Sequence, residues 1–128
     1  LTAAVPRIWP SGESGLVDPS RPPEAEEALD AARAVDTLAL DHCFDAEAAG
    51  ATLHWPGHGR TLRLTGDGVL RFLIVYTPAG ADFFCVEPVS HAPDALNSPL
   101  PEARTGLRML APDETLEAWI RVEARSAP

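Results

Sequence analysis

The segment from Val69 to Tyr76 constrains this chain most. Leu70, Phe72, Ile74 and Tyr76 alternate with Arg71, Leu73 and Val75, so an extended strand here is largely apolar on both faces. Successive side chains of a strand point to opposite faces, and a strand apolar on both must be covered on both. That places it in the middle of layered sheets. The segments around it extend the pattern. Val5 to Trp9 reads as a short strand, as do Thr37 to Phe44, Ala51 to Trp55 and Thr61 to Thr65. Pro56-Gly57-His58-Gly59 separates the last two and predicts a β-hairpin. Phe83 to Val86 is a further strand. Pro112-Asp113-Glu114 turns the chain into Thr115 to Ala124, with Leu116, Ala118, Ile120 and Val122 on one face and Glu117, Trp119, Arg121 and Glu123 on the other.

One segment reads otherwise. Glu24 to Val35 predicts a short helix, with Glu24, Glu26 and Glu27 at its start and Arg33 at its end. Its apolar stripe is mostly Ala, which buries little. The fold class expected is therefore all-β, an antiparallel β-sandwich with long irregular connections. At 128 residues the chain fits a single domain spanning 1–128, able to bury about two-thirds of its unfolded surface.

Charge narrows the function classes. Ten basic residues, all Arg, face nineteen acidic ones, for a net charge of −9. Such a chain, without a basic cluster, repels phosphate backbones and anionic lipid surfaces, so nucleic-acid and membrane roles are not expected. No apolar run approaches the ~20 residues of a membrane helix. Cys43 and Cys85 do not make a disulfide framework, and a reducing, cytoplasmic setting is the default. The sole Met is Met109 and the first residue is Leu1, from which a missing upstream portion is expected.

Chemistry concentrates in Phe83-Phe84-Cys85-Val86-Glu87-Pro88-Val89-Ser90-His91-Ala92-Pro93-Asp94-Ala95-Leu96-Asn97. A carboxylate ends an apolar strand and a polar, Pro-containing loop follows. Desolvation by Phe83, Phe84 and Val86 would raise the Glu87 carboxyl toward neutrality and suit it as a general base. Pro88, lacking an N–H, is expected to end the strand's pairing. The alternative is a strand-end Glu that points into solvent or pairs with an Arg. Asp94 and Asn97 are expected to hold the loop through local bonds to the backbone.

This segment resembles the signature of aldose 1-epimerases, the galactose mutarotase-like family, in which the Glu after an apolar strand is the catalytic base. Leu40-Asp41-His42-Cys43-Phe44 resembles the family's segment whose Asp binds sugar hydroxyls. Arg60-Thr61-Leu62 to Tyr76-Thr77-Pro78 resembles the strands between those sites. Gly106-Leu107 to Pro112-Asp113-Glu114-Thr115-Leu116 resembles the closing "G-L-x-x-L-A-P-G-E" turn, with Asp113 in place of the usual Gly. Pro10-Ser11-Gly12-Glu13 echoes a "P-T-G-E" turn. The likeness covers nearly the whole chain, in order, and matches the family's C-terminal half.

The resemblance implies part of a large β-supersandwich and a cofactor-free, metal-free interconversion of the anomers of an aldohexose. In that chemistry a Glu, here Glu87, takes the proton of the anomeric hydroxyl while a His protonates the ring oxygen. Asp41 is implied as a substrate-binding residue. His42 and His91 adjoin the matched motifs and are candidates to line the sugar pocket, or equally to bond local backbone. None of His42, His54, His58 and His91 sits in a segment matching the family's catalytic His motif. The chain alone is thus expected to be crippled, by on the order of 10²–10⁴ in rate. It is also expected to self-associate or to lie against the missing N-terminal half.

Zinc held by His42, Cys43, Cys85 and His91 would suit the metal by ligand type, but the spacing fits no known finger. His54 and His58 flank a turn and are expected to be solvated. Trp9, Trp55 and Trp119 could stack on sugars, core or interface burial being the alternative. Two further functional readings stay open: a non-catalytic carbohydrate-binding or regulatory β-sandwich, and an enzyme acting on phosphorylated hexoses.

Overall fold

A computed structural model describes residues 1–11, 21–46 and 49–126. The strands, in chain order, are β1 (Arg7–Pro10), β2 (Asp41–Asp45), β3 (Gly50–Trp55), β4 (Arg60–Gly66), β5 (Phe72–Tyr76), β6 (Cys85–Val89) and β7 (Ile120–Ser126). A single helical turn, α1 (Glu102–Thr105), precedes β7. The strands form two antiparallel sheets, ordered β1-β2-β5-β6 and β3-β4-β7.

The two sheets face each other across one core. Ile8, Phe44, Leu73 and Val75 come from the four-stranded sheet and Ala51 and Leu53 from the other, joined by Leu1, Val5, Leu29 and Leu40. Alternation puts Trp9, Cys43 and Phe72 on the opposite face of the four-stranded sheet. There Ala92 and Leu100, from the connection after β6, cover them. Strand β5 is thus covered on both sides, with Phe72, Leu73 and Val75 each fully buried, as its two apolar faces require. Burying side chains of this size contributes roughly 1.5–3 kcal/mol each. The all-β sandwich expected from the sequence is the architecture observed.

The β3–β4 hairpin forms in the expected place. Trp55 pairs with Arg60 across the turn, and Gly59 takes the left-handed conformation there (φ 57°). The last strand is displaced from the expected Thr115–Ala124 and runs from Ile120 to Ser126, with Asp67 binding the chain just before it. The Asp67 carboxylate accepts the Trp119 N–H at 3.0 Å.

The expected helix over Glu24–Val35 is not formed. The Glu27 and Ala28 amides both reach the Glu24 carbonyl at 3.0 Å, and the Glu27 carboxylate caps the Glu24 N–H at 2.8 Å, so the helical start signal operates for one turn. Beyond it, long-range bonds prevail. The Leu29 carbonyl accepts from the Ala3 N–H at 2.7 Å and the Arg33 N–H donates to the Leu1 carbonyl at 3.0 Å, while Leu29 is fully buried. An Ala stripe has too little area to hold a short helix against such pairing.

Candidate functional site

The strand registers decide which candidate side chains meet. Asp41 pairs with Tyr76 and Tyr76 with Cys85, while Cys43 pairs with Ile74 and Ile74 with Glu87. Asp41, Tyr76, Ile74, Cys85 and Glu87 therefore share one face, the face turned away from the inter-sheet core. From strand spacing and rise, the Cα atoms of Asp41 and Glu87 lie about 12 Å apart. Both residues are exposed.

Local bonds fix this array. The Thr77 hydroxyl, buried, accepts the Leu40 N–H at 2.7 Å, and the Thr77 N–H donates to the Leu40 carbonyl at 2.7 Å. That double clamp locks the start of β2 to the end of β5 and holds Asp41 opposite Tyr76. Phe83, 56 % exposed, tilts against Tyr76 with ring centroids 6.4 Å apart. A cleft of about 480 Å³ opens beside it, lined by Asp36, Thr77, Gly80, Asp82, Phe83 and Phe84 among others.

Glu87 does not receive the desolvation expected from Phe83, Phe84 and Val86. Phe84 and Val86 pack toward the inter-sheet core, Phe83 leans on Tyr76, and the carboxylate projects from the open face. A neighbour two residues along the strand points to the same face, and that neighbour is Cys85. Partial burial, then the charge of Glu87 and a hydrogen bond to it, push the Cys85 thiol above its usual value. Pro88 also departs from expectation. It is buried, pairs in register with Leu73, and the strand continues to Val89. β6 is the edge of its sheet, where a residue without an N–H costs no ladder bond.

The histidines are elsewhere. His42 points to the face opposite Asp41, its Nδ1 accepting the Ser11 N–H at 3.3 Å and its Nε2 lying 3.7 Å from Glu27. His91 follows the far end of β6, exposed, with Nδ1 2.9 Å from the Ser90 hydroxyl. His54, on β3, and His58, in the turn between β3 and β4, are both exposed, as expected. Cys43 is buried under Trp9 and Phe72, so the zinc set of His42, Cys43, Cys85 and His91 does not converge. Among the described residues no three His, Cys, Asp or Glu side chains are grouped to hold an ion.

Asp94 (φ 56°) and Asn97 close the loop after Glu87 on each other, through the Asn97 amide side chain to the Asp94 carboxylate and the Asn97 N–H to the Asp94 carbonyl at 3.1 Å. Trp9 is core, donating to Asp45, whereas Trp55 and Trp119 are 40 % and 52 % exposed on the second sheet. The Gly12-Glu13 part of the early turn lies outside the described residues.

Tyr76 belongs to the array with no role expected of it from the sequence, while Phe83 is expected there only as a desolvating neighbour of Glu87 and Cys85 only as a member of the zinc set. The signal available was the two-residue step from Glu87 to Cys85 and the position of Tyr76 at the open end of an otherwise buried strand. Compared with models of protein families, with curated proteins and with solved structures, the chain matches none. No helix among the described residues is long and apolar enough to cross a membrane.

Proposed function

We propose that this chain carries the base half of an aldose 1-epimerase-type active site, with Glu87 as general base and Asp41 as acceptor for sugar hydroxyls. The observation that carries the reading is the shared face of those two carboxylates. The gap between them is one that a single pyranose fills once both side chains reach inward, and Tyr76 and Phe83 lie beside it as apolar surface for a sugar's C–H face. A second observation supports the resemblance independently. Asp113 stands where the motif has Gly, and its backbone is left-handed (φ 66°), the conformation a Gly is used for.

In this reading Glu87 accepts the proton of the anomeric hydroxyl, the ring opens as its oxygen is protonated, and rotation about C1–C2 precedes closure to the other anomer. Protonation of the ring oxygen needs a second group opposite Glu87. None of the four histidines stands there, so this reading requires an acid from outside the described residues, carried by a segment that would also enclose the sugar and dry the carboxylate. The sugar is an aldohexose of the glucose or galactose type, and no cofactor is used.

The open, aromatic-bearing face also suits the alternative, a carbohydrate-binding module without catalysis, since Tyr76 and Phe83 are both exposed beside carboxylates. One experiment separates the two. Mutarotation of freshly dissolved α-galactose or α-glucose is followed by polarimetry with full-length protein and with Glu87→Gln, alongside sugar titration by calorimetry. The enzyme reading expects a loss on the order of 10²–10⁴ in rate with binding retained. Unchanged mutarotation in Glu87→Gln removes the enzyme reading, and absence of sugar binding in both proteins removes both.

A further inference from the structure

Each sheet has two edges, and three of the four are guarded. On the outer side of β6 stands Pro88. Beside β1, Ile8 exchanges both backbone bonds with Arg21 at 2.8 and 3.0 Å, and Pro10 ends the strand. Beside β3, Thr52 exchanges both bonds with Thr2 at 2.9 Å. Prolines and short covering bridges are the usual means of keeping an edge from pairing with another chain. β7 has neither. It is seven residues long, contains no Pro, and among the described residues nothing pairs with its outer side.

The backbone groups on that side can be identified. The Gly66 N–H turns toward β3, to the Ala49 carbonyl, while the Asp67 N–H turns toward the Trp119 carbonyl at 3.2 Å. Antiparallel pairing alternates, so Arg121, Glu123 and Arg125 direct their backbone groups to β4, and Ile120, Val122 and Ala124 direct theirs outward. Ile120 and Val122 are also 49 % and 59 % exposed as side chains, continuing outward the apolar face of Leu62 and Leu64.

We infer that β7 is a self-complementary edge that pairs antiparallel with β7 of a second copy of this chain, centred on Val122. In that register the outward groups of Val122 meet their own copies, and Ile120 meets Ala124 of the second copy. On the polar face Arg121 stands opposite Glu123 of the second copy, twice by symmetry, and Trp119 opposite Arg125, both in the closer, non-hydrogen-bonded type of pair. The two neighbouring registers that keep the same groups outward are disfavoured. One sets Arg121 against its own copy, and the other sets Glu123 against its own copy and Arg121 against Arg125. Charge therefore selects the register of this self-pairing, and a two-fold contact of this kind closes at two copies rather than propagating. The inference stands apart from the sugar reading.

The test is the mass in solution of the 128-residue chain by sedimentation equilibrium, at concentrations on the order of 0.1 mM. The chain is expected at twice its 13.6 kDa. Arg121→Glu and Glu123→Arg each oppose like charges across the two-fold axis and are expected to be folded monomers by circular dichroism. Mixed one to one they oppose unlike charges and are expected to recover the dimer. Val122→Pro removes an outward N–H without touching the ladder to β4, and gives a folded monomer as well if the charge variants fold poorly. A monomeric wild-type chain, a dimer unmoved by the folded variants, or a folded mixture that stays monomeric overturns the inference.

Discussion

Gly106 ties the loop after the candidate base to the sheet, and replacing it by Ala puts a definite load on that join. The residue caps α1 in a left-handed conformation (φ 74°), its N–H donating to the Glu102 carbonyl at 2.7 Å. A Cβ there would stand 2.5 Å from the Ser90 carbonyl oxygen and 2.5 Å from the edge of the Phe72 ring, with the His91 Cα at 3.2 Å. The left-handed conformation costs an L-residue about 1–2 kcal/mol. Two sub-contact distances, one to backbone and one to a fully buried ring, add the roughly 1–3 kcal/mol of an overpacked core. Gly106→Ala is therefore expected to lose about 2–5 kcal/mol, a large share of the roughly 5–15 kcal/mol of an ordinary domain. Urea unfolding followed by tryptophan fluorescence measures it, with the midpoint expected about 1–3 M lower for a typical slope. A loss below about 0.5 kcal/mol would mean that the Ser90–His91 backbone yields freely, and the account of how this loop is held would be wrong.

Three other outcomes follow from charge, burial and backbone. The Arg21 guanidinium bonded to Glu27 at 2.7 and 2.8 Å holds that carboxyl down to about 2, against 4.5 when free. Its stabilisation is whole above pH 4.5 and lost as pH falls toward 2, so Glu27→Gln should flatten the acid limb of stability in that window, on the order of 1–2 kcal/mol after solvent screening; an unaltered acid limb counts against the pair. Burial, with the nearby Asp45 charge, pushes the Cys43 thiol up to about 12, so a thiol reagent at pH 8 should label Cys85 alone in the folded chain, and faster in Glu87→Gln, while urea exposes both; equal native labelling refutes this. Asp113 occupies the third position of the Ala111–Glu114 turn after Pro112, with the Glu114 N–H donating to the Ala111 carbonyl at 3.0 Å, so Asp113→Gly should raise stability by up to about 1 kcal/mol in thermal melts, and a lower melting temperature would oppose it.

What was legible in the sequence was whatever rests on local pattern. The two-faced segment ending at Tyr76 became the buried central strand, and the Pro-Gly turn became the hairpin, because period and turn chemistry act within a few residues. The Glu24–Val35 helix failed because its fate depended on Leu1 and Ala3, distant in the chain and silent in a local window. Pro88 departs from expectation because its effect depends on whether its strand is central or at an edge, which no stretch of β6 reveals. The same holds for Glu87: its apolar neighbours were visible, but that Phe84 and Val86 face the core and leave the carboxylate uncovered is a matter of sheet packing. Asp41 and Glu87 were both named, and register, not motif, put them on one face. Register also put His42 on the other.

The order of strands has a bearing on how this chain reaches its native state. The first sheet closes within residues 7–89, whereas β4 waits for β7, more than fifty residues further on, to complete its outer ladder. Closing so distant a pair is slow on the scale of hairpin formation. During synthesis the outer side of the finished hairpin stays unpaired until β7 has left the ribosome. The stretch of time before that docking is when this molecule is most open to misassembly, and faster delivery of β7 would shorten it.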